Sequence, residues 1–398
     1  MKKKVLVLNP YIATLGGGEK HMGYVCQFME QYYKHDIVID ILVFNYNEVN
    51  VYAEDYITVS DLNRQFGIDL KCTNLRKISL PEEHGFVEHI KISRIVENIS
   101  KEYDIFINFM FMSRHLGKAK VNIYEVMFPP QKYGVAYKNN MIKYMIATMI
   151  DHMFLNSYDY FVCNSRYTKK WLEIYWRKRK NACVVYPPVF FESEIDGRYD
   201  ENKKENIIIS VGRFFVDAHS KKQLEMVRFF VKHQEVFSTY EYHLCGAVSN
   251  LKSDLEYLEQ VKEEASKVDN VYVHENCPFD RLLELYGKVK IFWHGTGYLC
   301  DEEKEPEKME HFGITTVEAM SFGVVPVVIR RGGQTETVGE GVNGFLWESE
   351  DECVKNTKRL VDDDLLRKKM AKISVERSKL YSIENFYEGH KRLLDAIS

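Results

Sequence analysis

The 398-residue sequence lacks several features that mark secreted, zinc-binding or nucleic-acid-binding proteins. Its eight cysteines are scattered, and no Cys-x-x-Cys pair occurs. This pattern argues against a disulfide framework and against a cysteine-ligated zinc site, and it favours reduced, mostly buried thiols. The net charge is only −4, so there is no electrostatic reason to expect a nucleic-acid partner.

Long apolar runs are also missing. The longest apolar stretch outside the predicted strands, residues 144–155, is interrupted by Asp151 and His152 and is too short to span a bilayer. The apolar run at the N-terminus stops at Asn9 and Pro10, so no secretory signal is predicted. We therefore expect a cytoplasmic protein that at most lies on the inner face of a membrane.

Two segments bear on membrane contact. Residues 137–145 and 169–180 are basic and aromatic, as helices in a membrane interface are. The same composition suits two surface helices that pack their aromatic side chains inward. The sequence leaves both interpretations open.

The apolar runs alternate with longer amphipathic segments, which predicts an α/β fold. A proline pair at Pro187 and Pro188, followed by a polar stretch, places a domain boundary near residue 190. We predict an N-terminal domain over 1–190 and a C-terminal domain over 191–380, two doubly wound Rossmann-like sheets facing a cleft. Strands are predicted at 4–8, 37–43, 104–109, 122–127, 160–163, 183–186, 207–211, 242–244, 271–273, 290–293 and 325–329.

The most informative segment carries two carboxylates, Glu310 and Glu318, with Gly313 between them and a helix-like run around the second. Carboxylates accept hydrogen bonds from hydroxyl pairs, which suits a sugar and a ribose. A helix start offers free N–H groups and the positive end of a dipole to a phosphate. The segment therefore predicts a nucleotide-sugar site.

A second candidate follows the predicted strand at 207–211. Gly212 and Arg213 end this strand, and Lys221 and Lys222 open the next helix. Two cations suit a nucleotide diphosphate, and arginine can bind it in a fork. A solvated loop with surface lysines is the alternative for this segment taken alone.

Three further segments are weaker signals. Gly16, Gly17 and Gly18 stand between a strand and a helix, where they form an anion-binding loop or only a tight turn. His294 directly follows the strand predicted at 290–293, and a lone histidine there is often structural. The segment 330–336 is expected to line the same edge as the acid pair, and 341–346 is expected to be a hairpin turn.

Taken in order, these motifs resemble those of the retaining glycosyltransferases of family four, which have the two-domain GT-B fold. The resemblance covers nearly the whole chain, and it extends to the mannosyltransferases of dolichol-linked oligosaccharides and to bacterial surface-glycan enzymes. The motifs that carry it are Gly16-Gly17-Gly18-Glu19, Cys163-Asn164-Ser165-Arg166-Tyr167-Thr168, Val185-Tyr186-Pro187-Pro188-Val189, Gly212-Arg213 with Lys221 or Lys222, and Glu310-x7-Glu318.

The resemblance implies a role for each site residue. Arg213 and one of the two lysines would hold the donor diphosphate, Glu310 would accept hydroxyls of the donor sugar, and Glu318 would take the ribose. Gly17 and Gly18 would close on the phosphate or the acceptor, and a C-terminal helix at 381–398 would cross back to the first domain. The predicted donor-binding set is Gly17, Gly18, Gly212, Arg213, Lys221, Lys222, His294, Glu310, Phe312, Gly313, Ile314, Thr315 and Glu318, and the catalytic set is Glu310, Arg213, Lys221 and Lys222.

The implied reaction moves a hexose from a UDP- or GDP-linked donor to a hydroxyl of a glycan or lipid-linked acceptor, with no metal and no cofactor. One position departs from the family pattern, because Met127 stands where relatives often have histidine, and His115 is the substitute considered. An epimerase-like or phosphorylase enzyme of the same architecture and a catalytically silent scaffold are the alternatives. The missing glycine fingerprint argues against a nicotinamide dehydrogenase.

Overall fold

The computed structural model of the chain describes residues 2–10, 16–46, 57–80, 86–136, 139–177, 181–216 and 220–397. The chain folds into two α/β units. The first contains Met1–Pro188 and Phe386–Ser398, and the second contains Val189–Asn385. The chain thus changes unit directly after the proline pair, where two fixed φ angles and two missing N–H groups interrupt regular structure.

The first unit is built on a parallel sheet. Its strands are β1 Lys3–Leu8, β2 Ile37–Tyr46, β3 Thr73–Leu80, β4 Ile105–Asn108, β5 Val121–Val126, β6 Tyr160–Cys163 and β7 Ala182–Val184. Its helices before the boundary are α1 Gly17–Tyr32, α2 Val59–Phe66, α3 Phe86–Ser100, α4 Tyr133–Ala136, α5 Met141–Asn156 and α6 Arg166–Trp176. The strand order is β3-β2-β1-β4-β5-β6-β7. The central strand β1 is fully buried from Val5 to Leu8, as expected when helices cover both faces of a parallel sheet.

The second unit repeats this plan with six strands. They are β8 Ile207–Val211, β9 Glu241–Gly246, β10 Val271–Glu275, β11 Ile291–His294, β12 Val325–Ile329 and β13 Phe345–Trp347. The helices are α7 Glu192–Ile195, α8 Gln223–Lys232, α9 Gln234–Phe237, α10 Lys252–Ala265, α11 Phe279–Lys288, α12 Ile314–Ser321, α13 Gln334–Thr337, α14 Glu350–Asp362 and α15 Asp364–Ser378. The order β10-β9-β8-β11-β12-β13 is that of a doubly wound Rossmann sheet, which confirms the predicted fold class.

Strands β3 and β13 were not predicted, and the hairpin turn expected at 341–346 is wrong. Residues Phe345–Trp347 form a strand that pairs in parallel with β12 instead of returning as a hairpin. Three residues are too short for a period to be recognised. Strand β3 lies at the edge of its sheet and is only partly buried, with Arg76 and Lys77 at its centre, so it lacks the continuous apolar run of its neighbours.

The last helix, α16 Ile383–Ile397, returns to the first unit, as predicted. The Ser382 hydroxyl accepts a hydrogen bond from the Asn385 N–H at 3.3 Å and caps its start. It packs on α1, where Gln27 Nε2 donates to the Tyr387 hydroxyl at 2.8 Å. All eight cysteines are unpaired, but only four of them are buried, fewer than expected.

Candidate functional site

The topology of the second sheet brings separate sequence motifs to one edge. Its strand order reverses between β8 and β11, and ligands of such sheets bind outside the carboxyl ends of the strands at this point. Strand β8 ends at Val211 and is followed by Gly212 and Arg213, whereas β11 ends at His294. Motifs eighty residues apart in sequence thus meet at the sheet edge where a ligand is expected.

Three of the predicted site residues are in direct contact at this edge. Lys221 Nζ donates to Glu310 Oε2 at 2.6 Å, and His294 Nε2 lies 3.2 Å from the same oxygen. Because an ionised carboxylate only accepts, His294 Nε2 carries the proton. Both contacts within the described residues use Oε2, so the other oxygen of Glu310 can accept a hydrogen bond from a ligand hydroxyl.

The electrostatics keep Glu310 ionised. Burial alone would raise the pKa of its carboxyl, but the charge of Lys221 and the hydrogen bond from His294 overcome this and hold the pKa well below the usual range. Burial lowers the pKa of His294, against the opposing pull of Glu310. At neutral pH the cluster therefore presents an anionic acceptor, a cationic amine and a neutral imidazole.

The structure distinguishes the two lysines that the sequence left open. Lys221 reaches Glu310, whereas Lys222 lies 3.7 Å from Glu225 on α8. Lys222 is the residue directly before α8 and has a left-handed φ of 60°. The side chains of Lys221 and Lys222 therefore point in different directions. Lys221 is the lysine that belongs to the cluster with Glu310.

The absence of a side chain at Gly212 makes this arrangement possible. A Cβ at this position would lie 2.5 Å from Lys221 Cγ, so any other residue would push the lysine away from the end of β8. Gln223, which the sequence analysis missed, holds the same turn from inside. Its side-chain amide donates to the carbonyls of Gly212 and Arg213, at 3.0 Å each. The only sequence signal for this role was the presence of a glutamine directly after Lys222.

The start of α12 also lies at this edge of the second sheet, next to Glu310 in sequence. Gly313 precedes the helix with a φ of 97°, a conformation that favours glycine. The N–H groups of Gly313, Ile314 and Thr315 therefore stand at the helix start, where a helix has no acceptor of its own for them. The segment 330–336 packs behind this turn, as expected, because the Gly333 N–H donates to the Glu310 carbonyl at 2.7 Å.

Arg213 is at the same strand end but points to solvent. Its guanidinium stacks over the Phe215 ring at 4.8 Å from the centroid, and its side chain is exposed. Among the residues that the structure describes, no carboxylate forms an ion pair with it. Its charge is therefore available to an anionic ligand.

The remaining predicted residues are placed as follows. Glu318 is buried on α12, eight positions after Glu310. The Phe312 side chain packs edge-on against Tyr381, with ring centroids 5.2 Å apart, so only its backbone could face a ligand. Gly17 and Gly18 lie exposed at the first turn of α1, in the first unit.

His115 is a poor substitute for the histidine missing at Met127. Its side chain is fully buried, and its ring stacks on His89 with centroids 4.9 Å apart. It is a core residue of the first unit, so the acceptor-side group considered there has no support from the structure.

Part of the chain is similar in sequence to a known protein family and to proteins with assigned names. Residues 191–377 match the family described as "Glycosyl transferases group 1". The human GDP-Man:Man(3)GlcNAc(2)-PP-Dol alpha-1,2-mannosyltransferase is 24% identical over 254 residues, which are 60% of this chain and 49% of that protein. The Kluyveromyces lactis enzyme of the same name is 26% identical over 186 residues, 41% of this chain and 28% of the relative. The chain thus spans half or less of the length of these curated relatives.

Solved structures resemble the whole chain. Anabaena Alr3699/HepE, crystallised in complex with UDP and glucose, has a TM-score of 0.68 at 13% identity, with 99% of this chain and 100% of that chain covered. Sucrose-phosphate synthase from Thermosynechococcus elongatus has a TM-score of 0.66 at 15% identity, with 100% and 99% covered. At such identities the likeness concerns the fold. The chain therefore has the GT-B fold, and residues 191–377, which lie within its second unit, match the Glycosyl transferases group 1 family.

Proposed function

We propose that the chain is a retaining glycosyltransferase that moves a hexose from a nucleoside diphosphate sugar to a hydroxyl of a lipid-linked glycan, without a metal. The observation that carries this proposal is the cluster of Lys221, Glu310 and His294 beside the start of α12. It combines a cation and free N–H groups for a diphosphate with a carboxylate oxygen for a sugar hydroxyl.

The proposed step is a same-face displacement at the anomeric carbon. The acceptor oxygen forms the new bond to this carbon, the bond to the phosphate oxygen breaks, and the acceptor proton passes to the leaving phosphate oxygen. No protein nucleophile is required. Lys221, Arg213 and the N–H groups at the start of α12 stabilise the negative charge that develops on the diphosphate.

GDP-mannose is the donor that we favour. The names of the human and Kluyveromyces lactis relatives specify GDP-Man and an acceptor linked to PP-Dol. The Anabaena protein was crystallised with UDP, but its 13% identity informs on the fold alone. UDP-linked donors are the alternative within the same proposal.

A thermal-shift panel of nucleoside diphosphates and their sugars tests this proposal. A ligand at 100 times its Kd stabilises the folded state by about 2.7 kcal/mol, so GDP and GDP-mannose should raise the melting temperature by several degrees, and more than the UDP compounds do. A chain that no nucleotide stabilises would be a silent scaffold. Conversion of the donor sugar without an acceptor would indicate an epimerase.

Peripheral membrane contact is part of the proposal, because a PP-Dol type acceptor is held in a bilayer. None of the described helices combines the length and the apolar character that a membrane crossing requires. Helix α5, however, turns large apolar side chains to solvent: Met141 is 79% exposed, Ile142 72%, Met145 66% and Met149 58%. Residues 141–150 include no acidic side chain and Lys143 is exposed, which suits an anionic lipid surface.

The second basic segment behaves differently. On α6 the aromatic side chains of Tyr167, Trp171 and Trp176 are buried, so this helix packs its rings inward. Residues 137–138 and 178–180 of the two segments lie outside the described residues. We therefore assign the proposed membrane contact to α5 alone.

Liposome flotation tests this assignment. The wild-type chain should float with vesicles that contain anionic lipid, and the double substitution of Ile142 and Met145 by serine should lower the bound fraction about tenfold or more, since each side chain fully withdrawn from water contributes about 1.5–3 kcal/mol. Ile174→Ser, at a residue of α6 that is 53% exposed, is the matched control and should not change flotation. Equal flotation of the double variant would contradict membrane contact through α5. So would a wild-type chain that does not bind lipid but forms a dimer, if the double variant is a monomer.

A further inference from the structure

A buried polar cluster in the first unit has no part in the proposed reaction. It consists of His21 on α1, Glu125 on β5 and His390 on α16, which are 2%, 1% and 3% exposed. Three elements far apart in sequence thus bring two imidazoles and a carboxylate to one point in the core. Buried groups of this kind need hydrogen-bond or ionic partners.

The distances within the cluster suit a shared cation. His390 Nε2 lies 3.0 Å from Glu125 Oε1, and His21 Nε2 lies 3.9 Å from Glu125 Oε2. One ligand atom from each residue lies within 4.8 Å of the other two. Ligand atoms about 2.0–2.1 Å from a tetrahedral zinc ion are roughly 3.3–3.5 Å from one another, so small side-chain shifts would complete such a site.

The hydrogen bonds of His390 show that a cation is needed. Its Nδ1 lies 3.2 Å from the Phe386 carbonyl oxygen, which can only accept, so Nδ1 carries the proton. In the neutral ring Nε2 then turns a lone pair towards Glu125 Oε1 at 3.0 Å. Two acceptors at this distance require a proton or a metal ion between them.

A proton on His390 would leave the rest of the cluster unsatisfied. Both ring nitrogens of His21 and Oε2 of Glu125 are buried without a hydrogen-bond partner among the described residues. A single divalent ion would take the lone pairs of both Nε2 atoms and of the carboxylate at once. It would also use the Nδ1 bond of His390 in the usual way, as the contact that orients a metal-binding imidazole.

We propose that His21, Glu125 and His390 bind a divalent transition metal ion of the zinc type, which fastens α16 to α1 and β5. Two imidazoles and one carboxylate are an established zinc ligand set, in which a water molecule can take the fourth position. None of the three ligands is among the residues that we propose to bind the donor, so this ion would be structural.

A second group of potential ligands in the same unit shows the contrast. Glu30, His35 and Cys72 also lie close together. The Glu30 carboxylate, however, already accepts hydrogen bonds from the N–H groups of Lys71 and Cys72 and from the Thr73 hydroxyl, at 2.7–2.9 Å. Because this carboxylate is already hydrogen-bonded within the protein, we expect no metal ion here. His35 therefore serves as the control position for the histidine substitutions.

The test is the metal content of the purified full-length chain. After expression with added zinc and removal of free metal, elemental analysis should find about one zinc ion per chain. His21→Gln and His390→Gln should each lower this content about tenfold or more, whereas His35→Gln should leave it unchanged. This measurement does not depend on transferase activity, so the metal site and the proposed function can fail separately.

Cobalt substitution keeps the test decisive if the histidine variants do not fold. The cobalt-loaded wild-type chain should show the absorption of a tetrahedral site with nitrogen and oxygen ligands, without a thiolate charge-transfer band. Any of three results would overturn the proposal: a wild-type chain that binds neither zinc nor cobalt, a thiolate band from one of the cysteines, or metal that persists in folded His21 and His390 variants.

Discussion

Replacing Lys221 by methionine is expected to lower kcat/KM for the donor sugar roughly 10²–10³-fold, the loss that follows removal of one transition-state donor. Methionine keeps an unbranched apolar stem over Gly212 but removes the charge that contacts Glu310 at 2.6 Å. Without this cation the leaving diphosphate loses a stabilising charge, and Glu310 loses the partner that keeps its pKa low. Steady-state transfer assays with GDP-mannose measure the effect.

Lys222→Met is the matched control, because the two lysines are neighbours in sequence and differ in direction. Lys222 pairs with Glu225 instead, so its replacement should cost less than about tenfold, as expected for the loss of a weak ion pair. Thermal melts of both variants separate a local effect from unfolding. A larger loss in the Lys222 variant would reverse the assignment of the diphosphate lysine.

Replacing Arg213 by alanine is expected to lower the transfer rate by roughly two to four orders of magnitude. The guanidinium stands at the end of β8, is exposed, and has no carboxylate partner among the described residues, so nothing within them competes with a diphosphate for it. Its planar donors can bind two phosphate oxygens at once. The residue lies outside the core, and the variant should keep its melting temperature without ligand.

Two further variants show whether charge or position matters at residue 213. Arg213→Lys retains the charge without the fork and should recover part of the rate. Phe215→Leu removes the ring that supports the guanidinium, a cation–π contact worth about 0.5–1 kcal/mol at an exposed site, and should cost only a few-fold. Wild-type transfer by Arg213→Ala would contradict the proposed role of this residue.

The apolar runs predicted the sheets well. Strands β6, β8 and β12 begin and end where the sequence placed them, because each is a short and mostly apolar run. The exposed edge strand β3 and the three-residue strand β13 lack this signal. Their strand conformation depends on backbone hydrogen bonds to β2 and β12, which are long-range contacts.

The candidate site was predicted only as a set of residue types. Glu310, Glu318 and the start of α12 followed from spacing. The partners of Glu310 did not, because Lys221 reaches it from the segment before α8 and His294 from the end of β11. The sequence also did not show that the apolar side chains of α5 are exposed, since a buried helix face has the same composition.

By itself, the sequence determined the fold class and the change of unit near the proline pair. It also determined the motif of Glu310 and Glu318 around a helix start. Each of these depends on periodicity or on residues close together in the chain. Only the tertiary structure decided which lysine meets Glu310 and that His21, Glu125 and His390 share one buried point. Side-chain direction and the meeting of distant elements follow from backbone conformation and strand order, and local sequence does not encode either.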